Sequence, residues 1–175
     1  HCKVTRFQGT EILLDYPSVG ATENTMLAAC LAQGETIIRN AAKEPEIVDL
    51  QNFLQQMGVA ISGAGTGVIH ITGKEEIRTD LTYRVIPDRI AAGTYMACVA
   101  ATGGELVLSG IDYESVSSIA YCLRNCGINI EIPGKKDIRI KALHRPKAIE
   151  VIRTSPYPGF PTDMQPQLVA VLSKA

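Results

Sequence analysis

A short turn, Ser18-Val19-Gly20, stands where a helix is predicted to begin, and this position suits the binding of a phosphate group. The first backbone N–H groups of a helix have no partner within the helix, and a glycine lets a ligand approach them closely. A single glycine is a much weaker signal than a glycine-rich phosphate motif. A plain strand-to-helix turn is therefore the alternative interpretation of these residues.

Two other predicted helix starts carry charged residues, Asp88-Arg89 and Thr162-Asp163. Asp and Thr are ordinary helix caps, because their side-chain oxygens accept hydrogen bonds from the first N–H groups of a helix. On these residues alone, Asp163 or Thr162 is expected to cap the helix that follows. The Arg89 guanidinium would favour an anionic substrate or hold two domains together, and a salt-bridged surface arginine is the alternative.

The cysteines and histidines form no recognisable cluster. The sequence has five cysteines, Cys2, Cys30, Cys98, Cys122 and Cys126, and three histidines, His1, His70 and His144. The odd number of scattered cysteines argues against a disulfide framework and favours a reducing, cytoplasmic setting. Cys30 and Cys98 fall inside apolar helical stretches and are expected in the core. Cys122 and Cys126 are one helical turn apart with no histidine nearby, so no metal site, other cofactor or catalytic triad is predicted.

The composition favours a globular protein and argues against two classes of partner. Hydrophobic residues make up 46% of the 175 residues, which allows a buried core in one or two domains. The formal net charge is -1, with no Trp and three Phe, so neither a basic face nor a base-stacking surface for nucleic acid is indicated. No apolar run approaches the roughly 20 residues of a membrane-spanning helix, and no signal peptide is visible.

The chain contains an internal repeat, and this repeat organises the elements that carry the residues above. Residues 34–38 (GETII) match residues 104–108 (GELVL) at an offset of 70, and Met57-Gly58 matches Cys126-Gly127 at an offset of 69. A third copy begins near the end, where residues 161–164 (PTDM) resemble residues 87–90 (PDRI). With only two complete copies, the pattern indicates a duplicated supersecondary unit rather than a solenoid.

Each copy is predicted to fold in the order β-α-β-α-β-β. Apolar residues at spacings of three and four indicate the helices, and short alternating or β-branched runs indicate the strands. In the first copy the expected elements are strand 11–15, helix 21–33, strand 36–38, a helix from Pro45 to Met57, and strands 59–62 and 68–72. In the second they are strand 81–86, helix 90–102, strand 106–109, a helix capped by Asp112, and strands 128–132 and 138–140 in a hairpin around Pro133-Gly134.

Four stretches, in this order, resemble the enolpyruvyl transferases that act on UDP-N-acetylglucosamine, the MurA family. They are residues 15–24 (DYPSVGATEN), 41–54 (AAKEPEIVDLQNFL), 83–94 (YRVIPDRIAAGT) and 160–165 (FPTDMQ). The resemblance implies an α/β (α+β) fold, the inside-out α/β barrel of β-α-β-α-β-β repeats, with about two repeats and the start of a third in this chain. It also implies that residues 1–86 are the last unit of a first domain. Residues 87–175 would be the first unit of a second domain and the start of the next unit.

The resemblance also implies a reaction and a set of site residues. The family transfers the enolpyruvyl group of phosphoenolpyruvate to the 3-hydroxyl of UDP-N-acetylglucosamine in peptidoglycan precursor synthesis. Asp163 would be the catalytic residue that accepts or positions the hydroxyl proton. Tyr16, Ser18, Val19 and Gly20, together with Asp163, would bind UDP-N-acetylglucosamine. The two substrates are the partners implied, without nucleic acid or membrane.

One feature of that family is missing from this sequence. The family's reactive cysteine lies in a proline-glycine-glycine-cysteine loop, and the glycine-rich stretch 63–67 of this chain carries no cysteine. The chain is therefore expected to be an internal fragment without transferase activity by itself. Two alternatives stay open. One is an enzyme like 5-enolpyruvylshikimate 3-phosphate synthase, and the other is a non-catalytic assembly module that self-associates through exposed apolar helix faces.

Overall fold

The computed structural model describes residues 4–175, which divide into two compact units, one ending at Ile86 and one beginning at Pro87. Each unit has its own hydrophobic core. His1 and Cys2, counted above among the dispersed histidines and cysteines, lie outside the described residues. None of the helices in the described part of the chain has the length and apolar character needed to cross a membrane.

The first unit contains a four-stranded sheet and two helices. Its elements are β1 Glu11–Leu13, α1 Val19–Ala29, β2 Glu35–Arg39, α2 Pro45–Gln56, β3 Ala60–Ser62 and β4 Val68–Thr72. The strand order is β1-β2-β4-β3, in which β1 is parallel to β2 and the other neighbouring pairs are antiparallel. The β-α-β-α-β-β order predicted for the first copy is therefore confirmed.

The alternation of residues along β4 decides which face of this sheet is buried. Ile69 and Ile71 have no solvent exposure and belong to one core cluster with Met26 of α1. Between them His70 is exposed, and its Nδ1 lies 3.1 Å from Oε1 of Glu35. Because successive side chains of a strand point to opposite faces, the sheet has one face in the core and one polar face.

The second unit contains a three-stranded antiparallel sheet and three helices. Its elements are α3 Arg89–Thr102, β5 Gly104–Ser109, α4 Tyr113–Asn125, β6 Asn129–Gly134, β7 Asp137–Ala142, a 3-10 turn Thr162–Met164 and α5 Gln165–Leu172. The strand order is β5-β7-β6. As predicted, Asp112 caps α4, where its carboxylate accepts a hydrogen bond from the Glu114 N–H. Because β6 continues to Gly134, the hairpin turns at Lys135-Lys136 instead of Pro133-Gly134.

The strand predicted over residues 81–86 is wrong, since the structure has no strand between β4 and α3. Side-chain contacts hold this segment against α2. The Tyr83 hydroxyl donates to Oδ1 of Asp49 at 2.7 Å, and the Ile86 N–H donates to Oδ2 of Asp49 at 3.4 Å. The Tyr83 ring meets the Phe53 ring edge to face at 5.2 Å. The Asp49 carboxylate therefore accepts hydrogen bonds from this segment, which a neighbouring strand would otherwise accept.

The helix predicted over residues 21–33 is shifted, because α1 begins at Val19 and ends at Ala29. The backbone after Ala29 is used for other pairings. The Gln33 N–H donates to the Phe7 carbonyl at 2.9 Å, a partner outside the helix. Gly34, with φ of 85°, then turns the chain into β2, a conformation that suits glycine.

Candidate functional site

The turn between β1 and α1 exposes the start of a helix. Ser18 is the N-cap of α1, and its Oγ accepts a hydrogen bond from the Ala21 N–H at 3.3 Å. Its carbonyl oxygen accepts the first intrahelical bond, from the Thr22 N–H, at 3.0 Å. Val19 and Gly20 occupy the first two helical positions, whose N–H groups have no acceptor within a helix. The turn therefore presents two backbone donors in front of α1.

The surroundings of Gly20 leave room for a ligand. A Cβ built on Gly20 would meet no atom within 4 Å, so the packing of the protein does not require a glycine here. Tyr16 is 60% exposed beside the turn, and its carbonyl oxygen accepts a hydrogen bond from the Ser18 N–H at 2.7 Å. The structure thus brings together Tyr16, Ser18, Val19 and Gly20, the four predicted residues of this segment, around an open helix start.

Three glutamates, Glu23 of α1 with Glu44 and Glu46 near the start of α2, make the surroundings of α1 negatively charged. Burial raises the pKa of Glu23, and the nearby carboxylates of Glu46 and Glu44 raise it further. Glu44 precedes α2 and Glu46 lies in its first turn. Two of these carboxylates therefore stand near the positive end of the α2 dipole, which favours negative charge. The free N–H groups at the start of α1 would attract an anion at Gly20.

Asp163 lies in the 3-10 turn that precedes α5. Its side chain is exposed and accepts no hydrogen bond from residues 4–175. Neither the turn nor α5 has a side-chain cap, so the expectation that Asp163 or Thr162 caps the helix is wrong. The turn is closed instead by the Met164 N–H, which donates to the Pro161 carbonyl at 3.1 Å. A backbone hydrogen bond therefore closes this turn, and the carboxylate of Asp163 takes no part in capping it.

Met164, the next residue, anchors this turn in the core of the second unit. Its side chain is 1% exposed and lies against Gly93 of α3. A Cβ on Gly93 would come within 3.0 Å of the Met164 Sδ and 2.7 Å of the Ile119 Cδ1. The Gln167 side-chain amide also donates to the Thr94 Oγ1 at 3.0 Å. The exposed carboxylate of Asp163 therefore lies on a turn that the core contacts of Met164 hold in place.

Arg89 is buried at 7% exposure, so the interpretation as a surface arginine is wrong. Its guanidinium lies over the Tyr157 ring, 5.8 Å from the ring centre, which is a cation–π geometry. Asp88 caps α3 and accepts from the Ile90 N–H at 2.8 Å. Tyr157 belongs to the segment that leads into the Asp163 turn, so Arg89 supports that segment within the second unit.

Three of the cysteines are buried in the described structure and one is not. Burial raises the pKa of Cys30 and Cys126, and burial together with Cys126 raises the pKa of Cys122 to about 11. Cys98 is exposed, so its predicted place in the core is wrong. α3 turns Met96 and Ala97 to the core, and position 98 lies on its other side. Within residues 4–175, no group of three or more Cys, His, Asp or Glu side chains is arranged to hold a metal ion.

One groove of the second unit does not include Asp163. It has a volume of about 600 Å³ and runs between α4 and the segment 149–160. Its lining includes Tyr113, Tyr121 and Arg153. None of the residues predicted to bind a substrate contributes to it.

Comparison with known proteins decides the family of the chain. A sequence profile described as EPSP synthase (3-phosphoshikimate 1-carboxyvinyltransferase) matches residues 1–175. The chain belongs to the EPSP synthase family. The chain is 54% identical in sequence to UDP-N-acetylglucosamine 1-carboxyvinyltransferase 2 of Caldanaerobacter subterraneus subsp. tengcongensis. The alignment covers 99% of this chain and 41% of the length of that relative. It is 50% identical to UDP-N-acetylglucosamine 1-carboxyvinyltransferase 1 of Carboxydothermus hydrogenoformans, over 99% of the chain and 40% of the relative.

These relatives confirm the resemblance inferred from the four stretches, although the chain spans only 41% and 40% of their length. Solved structures confirm the fold. The enolpyruvyl transferase NikO from Streptomyces tendae has a TM-score of 0.81 at 21% identity, covering 98% of this chain and 43% of that one. An EPSP synthase from Acinetobacter baumannii has a TM-score of 0.55 at 22% identity, covering 95% of this chain and 37% of that one. The enolpyruvyl transferase fold implied by the resemblance is thus confirmed.

Proposed function

We propose that this chain is part of a UDP-N-acetylglucosamine 1-carboxyvinyltransferase, which transfers the enolpyruvyl group of phosphoenolpyruvate to the 3-hydroxyl of UDP-N-acetylglucosamine. The observation that carries the proposal is the identity of 47–54% to relatives of that name, over nearly the whole chain. The solved EPSP synthases are 22% identical, which supports a shared fold and not a shared acceptor. Peptidoglycan precursor synthesis in the cytoplasm is the corresponding setting.

The described geometry supports a division of roles between two segments. The open helix start at Ser18-Val19-Gly20 offers N–H donors to the diphosphate of the nucleotide sugar, with the exposed Tyr16 beside them. Asp163 offers an exposed carboxylate on a fixed turn, suited to accept the proton of the attacking hydroxyl. In this proposal residues 1–86 end the first domain of the enzyme, and residues 87–175 begin the second.

The polypeptide of residues 1–175 is proposed to have no turnover by itself. A nucleophilic or acidic cysteine needs an accessible thiol, and burial raises the pKa of Cys30, Cys122 and Cys126. Cys98 lies on α3 outside any glycine-rich loop, and the loop at residues 63–67 has no cysteine. Product formation from both substrates by this polypeptide alone would contradict this part of the proposal.

Titration of the isotope-labelled chain with UDP-N-acetylglucosamine tests the assignment of the segments. We expect saturable NMR shifts of the amides of residues 16–20 and, followed separately, of residues 162–164. Shikimate 3-phosphate at the same concentrations is the matched comparison. Saturation by shikimate 3-phosphate alone would replace the proposed acceptor, and no saturable shift with either compound would remove the binding role of these segments.

A role in assembly is a second candidate, because apolar side chains of three helices are exposed. Leu27 of α1 is 51% exposed, Leu31 just after α1 is 48% exposed, Tyr95 of α3 is 60% exposed and Val169 of α5 is 61% exposed. Apolar faces of this kind favour self-association of the chain. Sedimentation velocity over a hundredfold range of concentration, on the order of micromolar to submillimolar, distinguishes a stable monomer from an associating chain.

A further inference from the structure

Thr22 is a polar residue with no solvent exposure, one helical turn behind the open start of α1. Its Oγ1 donates a hydrogen bond to the Ser18 carbonyl oxygen at 2.8 Å. The same Oγ1 accepts a hydrogen bond from the Ala42 N–H at 3.0 Å. One hydroxyl therefore connects the N-cap residue of α1 to the loop between β2 and α2.

The bond from Ala42 fixes the orientation of this hydroxyl. A threonine in a helix commonly donates to the carbonyl four residues earlier, and such a bond can be exchanged for solvent. Here Ala42 is 0% exposed, and no solvent is available to replace Thr22 as the acceptor for its N–H. The hydroxyl must therefore keep a lone pair towards Ala42, which leaves its proton for the Ser18 carbonyl.

Planarity of the peptide bond carries this constraint to the front of the helix. The Ser18 carbonyl and the Val19 N–H belong to one trans peptide group and point in opposite directions. The Ser18 oxygen is held by two donors of Thr22, the N–H at 3.0 Å and the hydroxyl at 2.8 Å. Because the oxygen is held from behind, the Val19 N–H is aimed outwards, beside the open space at Gly20.

We infer that Thr22 is a positioning residue for the nucleotide sugar. It acts through the Ser18–Val19 peptide and holds the Val19 donor in the direction in which a bound diphosphate oxygen would meet it. This inference rests on the proposed function, since it assigns the role of a residue behind the same segment. Thr22 itself has no solvent exposure, so it would act through this peptide and not by direct contact with the nucleotide sugar.

The test compares three variants of the 175-residue chain. Thr22→Val keeps the shape and removes the hydroxyl, and Thr22→Ser keeps the hydroxyl. Thr36→Val is the matched control, because Thr36 is a threonine of the same unit at 3% exposure on β2. The dissociation constant for UDP-N-acetylglucosamine is measured by NMR titration, and circular dichroism shows that each variant is folded.

Thr22→Val is expected to raise the dissociation constant by about tenfold, which corresponds to about 1.4 kcal/mol. Thr22→Ser is expected to bind within about twofold of the parent chain, as is Thr36→Val. If Thr22→Val does not fold, Thr22→Cys takes its place, because a thiol keeps the volume and forms only a weak hydrogen bond.

The outcomes separate this inference from the proposed function. Equal affinity of Thr22→Val and the parent chain would overturn the positioning role of Thr22 and leave the binding segment in place. A loss of affinity that Thr22→Ser does not restore, or that Thr36→Val shares, would show a general effect of stability and would also overturn it. Absence of saturable binding by the parent chain would overturn the proposed binding segment itself.

Discussion

Tyr83 fastens the last residues of the first unit to α2, and the substitution Tyr83→Phe tests this attachment. The hydroxyl donates to Oδ1 of Asp49 at 2.7 Å and also lies 3.1 Å from the Asp49 carbonyl oxygen. Phenylalanine keeps the edge-to-face contact with Phe53 and removes only the hydroxyl. A hydrogen bond to a charged group contributes about 1.5 kcal/mol or more, so a loss of about 1 kcal/mol in the free energy of unfolding is expected at a partly exposed site.

The pH dependence of this loss has a definite sign. Burial, the hydrogen bond to Asp49 and the negative charge of Asp49 together raise the pKa of Tyr83 from 10.0 to about 12, and burial is the largest of the three causes. The folded pKa lies above the unfolded value, so the stabilisation is present in full below about pH 10 and is lost as the pH rises towards about 12. At about 1.36 kcal/mol per pH unit the upper bound is about 2.7 kcal/mol, and solvent screening reduces it to about 1 kcal/mol.

Urea unfolding at a series of pH values measures this difference. The parent chain is expected to be more stable than Tyr83→Phe at about pH 8, and the difference should shrink between about pH 10 and 12. Tyr121→Phe is the matched control, because Tyr121 is 68% exposed on α4. A difference between the parent and Tyr83→Phe that stays constant up to the highest pH, or that Tyr121→Phe reproduces, would refute the reasoning.

Three further predictions follow from packing, charge and exposure. Gly73→Ala should lower the free energy of unfolding by about 3 kcal/mol, because the new Cβ would lie 2.0 Å from the Ala32 carbonyl oxygen. Gly20→Ala should leave the free energy of unfolding unchanged, since no atom lies within 4 Å of a Cβ at that position. Urea unfolding measures both variants. Glu23→Gln should raise the free energy of unfolding at pH 7 by about 0.5 kcal/mol, because the raised pKa of Glu23 reflects burial and like charges, and the gain should vanish in acid, where Glu23 is protonated. In a Cys2→Ser background, Cys98 should react with a thiol reagent in the folded chain, and the buried cysteines only in urea; equal rates in mass spectrometry would contradict the exposure described.

The arrangement of Asp163 shows how a fixed turn can leave a functional group free. In a capped helix the carboxylate of an N-cap residue is committed to the first N–H groups, as Asp88 is at α3. Before α5 a 3-10 turn and Pro166 replace that arrangement, so the side chain of Asp163 is not needed for the helix. Asp88, which matches Thr162 in the repeat, thus caps its helix, whereas neither Thr162 nor Asp163 caps the helix that follows it.

Most of the helices and strands could be predicted from sequence patterns, because their signals are local. Pro45 at the first position of α2, Asp112 before α4 and the alternation around His70 each act within a few residues. The internal repeat and the four stretches led to the family without any contact being known. The open helix start at Ser18-Val19-Gly20 was also predicted, although the helix begins two residues earlier than expected.

Other features depend on contacts between residues far apart in the chain, and no local sequence pattern predicts such contacts. Residues 81–86 have the pattern of a strand, but Asp49 supplies their hydrogen-bond partner in place of a neighbouring strand. Arg89 is buried and its guanidinium lies over the ring of the distant Tyr157, and Cys98 is exposed because its helix has only one face in the core. Thr22 gave no signal in the sequence, since its role depends on the Ala42 N–H, which lies 20 residues away and becomes its neighbour only through folding.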